Sequence, residues 1–242
     1  MKLITAEQMQ NLLSVCYEKA INGLPGAKGV FLSKGVAEFA QGYRAKYATP
    51  QIAAHKLVKT QILKCGTSGF LSGFGGLITL PVAVPANIGS VLYMQLRMIV
   101  AIACLGGHDP RDEAVRTMAY LCLAGEGAAS VVKEAGIKIG DKVALKAINR
   151  LPAQVLIRIN QKVGIRLFTT LGTKGLINLV KVVPVAGGVA GAGFDAASTR
   201  KIARHAMKAF FAGPPAPEVP DENIEPVEGE NLPEAEESIL EQ

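Results

Sequence analysis

The feature that most constrains the fold is a stretch of 32 residues without a formal charge, between Lys64 and Arg97. Two prolines divide it into two arms. As helices, residues 66–80 would be about 22 Å long and residues 86–105 about 30 Å long, since each residue adds about 1.5 Å. Only the second arm is long enough to cross a bilayer alone, and it contains polar residues and an arginine. We therefore expect a helical hairpin over residues 65–105, either packed inside a bundle or dipped into one leaflet of a membrane.

Closely spaced glycines accompany this stretch. Gly69, Gly73 and Gly76 follow one another at intervals of four and three, and Gly187 and Gly191 are four apart. Such spacing places residues without side chains on one helix face, where a second helix can approach closely. The alternatives are contacts within one bundle and self-association of two chains. With aromatic residues at 5% and no tryptophan, the composition favours an all-α, glycine-rich multi-helix bundle around a central apolar hairpin.

Helix starts are marked by capping residues. Thr5 and Gln8 have the spacing of a capping box, which predicts the start of the first helix. Thr49 precedes Pro50, a pair that suits an N-cap followed by the first helical residue. Asp109 precedes a second proline in the same way. Further helices are predicted at residues 31–47, 109–123, 141–149, 152–168 and within 182–211.

The charge is divided unevenly along the chain. The net charge of +6 combines a body, residues 1–213, with 26 bases and ten acids, and a tail, residues 214–242, with ten acids and no base. The body therefore carries +16 and the tail −10. The proline-rich acidic tail is predicted to be disordered and to compete with anionic lipid for the basic body. We expect three parts: an N-terminal amphipathic helix and linker in residues 1–29, a helical domain in residues 30–213, and this tail.

The basic residues suggest an anionic partner. Arg158, Lys162 and Arg166 are spaced four apart, which forms a stripe along one helix face, and Lys201 and Arg204 extend the basic character towards the end of the body. The chain lacks a zinc finger, an RNP motif and an aromatic platform, which argues against nucleic acid. We therefore predict that these five residues face anionic lipid or a membrane protein.

Two charges stand alone in apolar, glycine-containing helices. Arg97 and Asp195 would each be costly to bury without a partner. They could form an ion pair that fixes the register of two helices, or take part in gating or partner contact. Asp109 and Arg200 are further candidates for structural or partner contacts.

Evidence for enzymatic chemistry is weak. His108 and Asp109 are adjacent, but their position before a helix suits a turn and a cap. Ser198 and His205 are two helical turns apart, and no nucleophile elbow surrounds the serine. The glycine motifs lack the lysine of a phosphate-binding loop, and the four cysteines form no metal-ligand pattern. We predict no catalytic residue, no cofactor and no metal, and keep as an alternative a soluble helical enzyme with a polar cleft that uses His108, Asp109 and Asp195.

Several segments resemble one family in the same order. They are GFLSGFGGLITLPVAVPAN at residues 69–87, QLRMIVAIA at 95–103, GHDP at 107–110 and PVAGGVAGAGFDAASTR at 184–200. Together they resemble the EcsC family over roughly residues 30–211. The family is named for a protein encoded beside an ABC transporter. The resemblance implies a bacterial, membrane-proximal α-helical protein and supplies no catalytic residues.

These observations together favour a non-enzymatic, membrane-associated protein. We expect it to support an envelope, transport or secretion process through a basic surface. The first ten residues lack the long apolar run of a secretory signal. The expected location is therefore the cytoplasm, peripheral to or partly inserted in the cytosolic face of the inner membrane.

Overall fold

The computed structural model describes residues 5–26, 30–66, 86–138, 144–169 and 187–211. These ranges are all-α and contain no strand, which confirms the predicted fold class. In chain order the helices are α1 (Ala6–Asn22), α2 (Val30–Ser33), α3 (Val36–Lys46), α4 (Pro50–Gly66), α5 (Ala86–Leu105), α6 (Glu113–Ala124), α7 (Ala128–Glu134), α8 (Leu145–Ile148), α9 (Ala153–Thr169) and α10 (Gly187–Phe210). A 3-10 turn, Gly125–Gly127, joins α6 to α7.

Helix α5, the predicted second arm of the hairpin, lies at the centre of the bundle. Every residue from Leu96 to Ala103 is completely buried. Helices α1, α3, α4, α6 and α10 pack around it. A helix that is apolar on all sides must be shielded from water, and here the surrounding helices shield it. Within the described ranges, no helix combines the length and apolarity needed to cross a membrane.

Most of the first arm of the predicted hairpin and the whole acidic tail lie outside the described residues. The ranges concerned are residues 67–85, which include Gly69, Gly73 and Gly76, and residues 214–242. Gly187 and Gly191 belong to the first turns of α10. The proposed use of these glycines in helix contacts therefore stays a prediction.

Two predicted helix starts are confirmed. The Thr5 hydroxyl accepts a hydrogen bond from the Gln8 amide at 3.1 Å, and the Gln8 side chain accepts one from the Thr5 amide at 2.8 Å. At α4 the Thr49 hydroxyl accepts from the Ile52 amide at 3.2 Å, with Pro50 as the first helical residue. Both caps satisfy amide groups that a helix leaves without an internal partner.

The predicted start of α6 is wrong by three residues. Asp112, not Asp109, is the N-cap, and its carboxylate accepts from the Ala114 amide at 2.8 Å. Asp109 instead accepts from the Arg111 amide at 2.8 Å, and its carbonyl accepts from the Asp112 amide at 3.1 Å. These bonds close a turn before the helix, a conformation that aspartate favours because its short side chain reaches nearby amides.

The predicted helix over residues 31–47 is interrupted. Helix α2 ends at Ser33, and α3 begins at Val36 after Gly35. The carbonyl of Lys34 accepts a hydrogen bond from Arg97, 63 positions away, at 2.5 Å. Because the Lys34 carbonyl accepts from a side chain of the core, it does not take part in a continuous series of helical hydrogen bonds. This tertiary contact explains why the helix is interrupted.

Helix α1 is part of the same core as the later helices. Leu12, Cys16, Tyr17 and Ala20 are completely buried, and α1 packs against α5 and α9. The Tyr17 hydroxyl donates to the carbonyl of Pro110 at 2.9 Å. The N-terminal helix therefore contributes directly to the packing of the domain.

Candidate functional site

Helix α9 shows two contrasting faces. Leu156, Ile159, Val163 and Leu167 are buried at helical spacing. The opposite side exposes Ile157 by 51% and Ile165 by 44%, although isoleucine usually lies inside a protein. The helix contains no acidic residue. The outer side of α9 therefore combines two half-exposed apolar side chains with an absence of acids along the helix.

The basic residues of α9 do not act as one stripe. Arg158 is exposed beside Ile157, and Lys162 is half-buried. Arg166 is also half-buried and turns towards the 3-10 turn, where a methyl group added at Gly127 would overlap its guanidinium. Arg158 and Lys162 therefore lie between the two exposed isoleucines along the helix, whereas Arg166 packs against protein.

A second basic surface lies on α10. Arg200, Lys201, Arg204 and Lys208 are exposed, and their spacing places them along one side of the helix. Helix α10 packs against α4, which exposes Lys59 and carries no acid. Two neighbouring helices thus present cations to the solvent.

Arg97 lies in the core rather than at a surface. It is completely buried, and it donates to the carbonyl of Ala20 at 2.6 Å and to that of Lys34 at 2.5 Å. Its guanidinium carbon lies 5.5 Å from the centre of the Phe39 ring. Burial lowers the pKa of Arg97. Arg97 thereby joins the end of α1 to the α2–α3 connection, and the predicted partner side chain, Asp195, lies outside the described residues.

Gly23 completes this junction and was not singled out by the sequence. Its φ of +80° is in the region that favours glycine, and a Cβ atom there would lie 2.5 Å from the carbonyl oxygen of Lys34. That oxygen is the one that accepts from Arg97. The sequence signal was the Asn-Gly pair that ends α1, which marks a turn but not the close approach of a second segment.

Two residues of the enzyme alternative, His108 and Asp109, contact backbone groups, and so does His205. A ring nitrogen of His108 lies 3.0 Å from the carbonyl oxygen of Phe210, at the end of α10. Asp109 closes the turn before α6. A ring nitrogen of His205 lies 2.8 Å from the carbonyl oxygen of Lys201 one turn earlier. Each of these contacts joins a side chain to a backbone group, as a structural role would.

A polar cleft between α1, α6 and α9 was not predicted. The side-chain amide of Asn160 donates to one carboxylate oxygen of Glu113 at 3.1 Å. A guanidinium nitrogen of Arg116 lies 3.7 Å from the other carboxylate oxygen of Glu113. Arg116 also pairs with Glu18, and its guanidinium carbon lies 5.0 Å from the centre of the Tyr17 ring. The wall is completed by Gln10, Leu13, Ser14 and Tyr120.

Two polar atoms of the residues that line the cleft have no hydrogen-bond partner among the described residues. They are Nε of Arg116 and Oδ1 of Asn160, and both are buried. The cleft has a volume of about 130 Å³. Its residues come from three helices far apart in the chain, so no local motif could reveal it. Within the described ranges, no three His, Cys, Asp or Glu side chains gather as metal ligands would.

The profile of the EcsC protein family matches residues 48–211. The match covers α4 to α10 and confirms the resemblance seen in the sequence; α1 to α3 precede it. No curated protein and no solved structure matches the chain.

Proposed function

The chain belongs to the EcsC protein family, and for this member we propose a non-enzymatic role in which it binds the anionic surface of a membrane. Binding is peripheral, at the cytosolic face of the bacterial inner membrane. It supports an envelope, transport or secretion process, with lipid or a membrane protein as the partner.

One observation carries the proposal: the outer face of α9, which we define as Ile157, Arg158, Lys162 and Ile165. Two isoleucines exposed by about half are positioned to enter the headgroup region, where burial of a side chain such as isoleucine contributes up to about 1.5–3 kcal/mol. Each basic residue beside them adds about 1 kcal/mol near anionic lipid. The absence of acids along α9 removes the opposing repulsion.

The exposed cations of α10 support the same proposal by a longer-range effect. Arg200, Lys201 and Arg204 carry no apolar neighbour of comparable exposure on that helix among the described residues. They therefore contribute attraction towards anionic lipid rather than insertion. Such attraction acts over about a Debye length, 8–10 Å at physiological salt.

The enzyme alternative has no specific observation in its favour. His108 and Asp109 bind backbone groups at a helix end and in a turn. The side chain of Asp195 lies outside the described residues.

The test is co-sedimentation of the full chain with vesicles of phosphatidylcholine, with and without phosphatidylglycerol. We expect binding only to the anionic vesicles, and less of it as salt rises. Changing Ile157→Ser and Ile165→Ser together should weaken binding at least tenfold, because two apolar side chains no longer enter the interface. Ile52→Ser is the matched control, since Ile52 on α4 is exposed to a similar extent, 43%. Equal binding of all three proteins would contradict the proposed α9 face.

Insertion has its own reporter because the chain contains no tryptophan. Ile157→Trp places a single fluorophore on the outer face of α9, and Glu38→Trp places one at an exposed position of α3. Anionic vesicles should shift the emission of the first to shorter wavelength and leave the second unchanged. Unshifted emission from Ile157→Trp on sedimented vesicles would show that binding occurs through another surface.

A further inference from the structure

We propose that the exposed cations of α10 bind a second anionic membrane, so that one molecule bridges two lipid surfaces. The inference rests on the proposed function, in which the outer face of α9 binds a first membrane. It adds a second contact on another side of the domain and a further activity, membrane bridging, which a single contact does not provide.

The cations of α10 face away from the core. Four exposed residues form what we call the cation row of α10: Arg200, Lys201, Arg204 and Lys208. Three of them repeat at intervals of four residues, and the buried residues of the same helix repeat at the same interval two positions later: Ile202, Ala206 and Phe210. An offset of two residues is about half a helical turn, so the cation row points outward.

The outer face of α9 points outward for the same reason. The exposed Ile157 precedes the buried Ile159 by two positions, and the exposed Ile165 precedes the buried Leu167 by two positions. Each of the two surfaces therefore lies opposite the side by which its own helix packs on the domain.

A buried helix lies between α9 and α10. Every residue of α6 from Thr117 to Leu123 is buried, and both α9 and α10 pack against this helix. Their other neighbours differ, because α9 also packs on α1, whereas α10 packs on α4 and α5. Direct contact between α9 and α10 is slight at most among the described residues. The outer face of α9 and the cation row of α10 therefore point to different sides of the domain.

The separation of the two surfaces exceeds the range of electrostatic attraction in salt. Packed helices have axes about 8–10 Å apart, and two such steps, through α6, lead from α9 to α10. The cation row lies on the outward side of α10, which adds to this separation. The Debye length is about 8 Å at physiological ionic strength. A bilayer held on the outer face of α9 is therefore screened from the cation row, and the lipid that this row attracts belongs to a second surface.

The surroundings of the cation row favour lipid headgroups as its partner. Helix α10 has no acid after Asp195, and α4 beside it exposes Lys59 and has no acid. No large hydrophobic side chain of α10 is exposed among the described residues. Cations without an apolar neighbour attract headgroup phosphates and do not enter the acyl region. Nucleic acid and an acidic protein segment are the competing partners, and the chain carries no recognised nucleic-acid motif.

The test captures vesicles on a bilayer that already holds the protein. A supported bilayer of phosphatidylcholine and phosphatidylglycerol is loaded with the full chain, washed, and exposed to fluorescent vesicles of the same composition. Protein retained on the bilayer reports the proposed function, and vesicles retained above the level of a protein-free bilayer report bridging. We expect capture of the anionic vesicles and at least about fivefold less capture of vesicles of phosphatidylcholine alone.

The decisive variant removes the cation row of α10. It combines Arg200→Gln, Lys201→Gln, Arg204→Gln and Lys208→Gln. This variant should coat the bilayer to within about twofold of the parent chain and capture at least about fivefold fewer vesicles.

The matched control removes the same number of positive charges from exposed positions outside α10. It combines Lys46→Gln, Lys138→Gln, Lys146→Gln and Arg150→Gln. Because every changed residue is exposed, both variants should fold. The control should capture as many vesicles as the parent chain does.

The outcomes separate the inference from the proposed function. A bilayer that retains no protein would contradict the proposed function, on which bridging rests. A bilayer that retains the protein but captures no anionic vesicles would overturn bridging alone. Equal capture by the parent chain and the α10 variant would also overturn it, because the second contact would then lie elsewhere. Capture of fluorescent DNA or of a poly-glutamate peptide, with no capture of vesicles, would overturn it in favour of nucleic acid or an acidic protein segment.

Discussion

The carbonyl group of Lys34 shows how one backbone atom constrains residues far apart in the chain. It accepts from Arg97 at 2.5 Å and stands 2.5 Å from the position of a Cβ atom on Gly23. Arg97 also caps the end of α1 by donating to Ala20, one of the carbonyls that a helix leaves without an internal partner. The junction therefore depends on the guanidinium of Arg97 and on glycine, which has no side chain, at position 23.

Gly23→Ala should destabilise the fold by about 3 kcal/mol or more. The left-handed conformation costs alanine about 1–2 kcal/mol, and the clash with a fixed carbonyl adds about 1–3 kcal/mol. Gly26→Ala is the matched control, since Gly26 has a φ of +82° but no atom within 4 Å of an added Cβ. The free energy of unfolding of Gly26→Ala, measured by urea unfolding, should fall by about 1–2 kcal/mol. Equal losses in the two proteins would show that the Lys34 carbonyl moves aside.

Arg97→Met should destabilise the protein by about 2–4 kcal/mol, because two carbonyls lose their donor. The measurement is urea unfolding, repeated in the Asp195→Asn background. We expect at least half of the loss to persist there, since the bonds to Ala20 and Lys34 do not involve Asp195. If Asp195→Asn removes the whole loss, the ion pair predicted from the sequence dominates instead.

At the scale of elements, the family match and the folded core have different boundaries. The match begins at residue 48, yet α1 and α3 both pack against the central helix α5. Helix α1 alone buries seven side chains, among them Leu12 and Tyr17. Their burial contributes more than about 10 kcal/mol, which is comparable to the whole stability of a typical domain.

A chain limited to residues 48–211 should therefore fail to fold cooperatively, whereas residues 1–213 should fold. Thermal unfolding followed by circular dichroism distinguishes them. A sharp transition in the shorter chain at a similar temperature would show that α1 to α3 are accessory.

The buried thiols of Cys16 and Cys122 and the half-buried thiol of Cys104 predict a loss of stability at alkaline pH. Burial raises the pKa of Cys16 and Cys122 to about 12 and that of Cys104 to about 11, from an ordinary value of 9.0. The folded state therefore holds protons that the unfolded state releases above pH 9, so stability is full below pH 9 and falls as pH rises towards 11–12. Each fully buried thiol contributes a slope of about 1.4 kcal/mol per pH unit.

Urea unfolding at a series of pH values from 8 to 11 measures this decline. The free energy of unfolding of Cys122→Ala should fall less steeply with pH than that of the parent chain. The difference between the two slopes should equal the contribution of one thiol. An unchanged slope would mean that Cys122 ionises in the folded protein without penalty.

At the scale of the whole molecule, charge is separated by segment. Residues 1–213 carry +16 and residues 214–242 carry −10. Among the described helices, α10 exposes four cations and α3 exposes two, Arg44 and Lys46, whereas α4 and α9 expose one each, Lys59 and Arg158. Electrostatic attraction to a membrane depends on the sum of these parts.

Removal of residues 214–242 changes the net charge from +6 to +16. We expect the shortened chain to bind anionic vesicles more tightly, and the difference to be larger at low salt, where screening is weaker. Vesicle co-sedimentation at two salt concentrations checks this. Equal binding at low salt would leave the tail with a role in solubility alone.

The sequence by itself determined the all-α class, the family and most helix positions. Thr5 with Gln8, and Thr49 with Pro50, mark true helix starts because capping is decided within three or four residues. The same local reasoning misplaced the start of α6, since Asp109 and Asp112 both have the chemistry of a cap. The basic residues Arg158, Lys162 and Arg166 were found, but not which of them face solvent.

Only the tertiary structure decided what covers each surface. An apolar helix such as α5 is compatible with protein or lipid on all sides, and the choice depends on helices up to about a hundred positions away. The acceptors of Arg97 are 77 and 63 positions from it, and Asn160 meets Glu113 across 47. Such contacts leave no periodic trace in the sequence, because periodicity records only the neighbours along one helix. The break after Ser33, the Arg97 junction and the polar cleft therefore follow from packing rather than from local pattern.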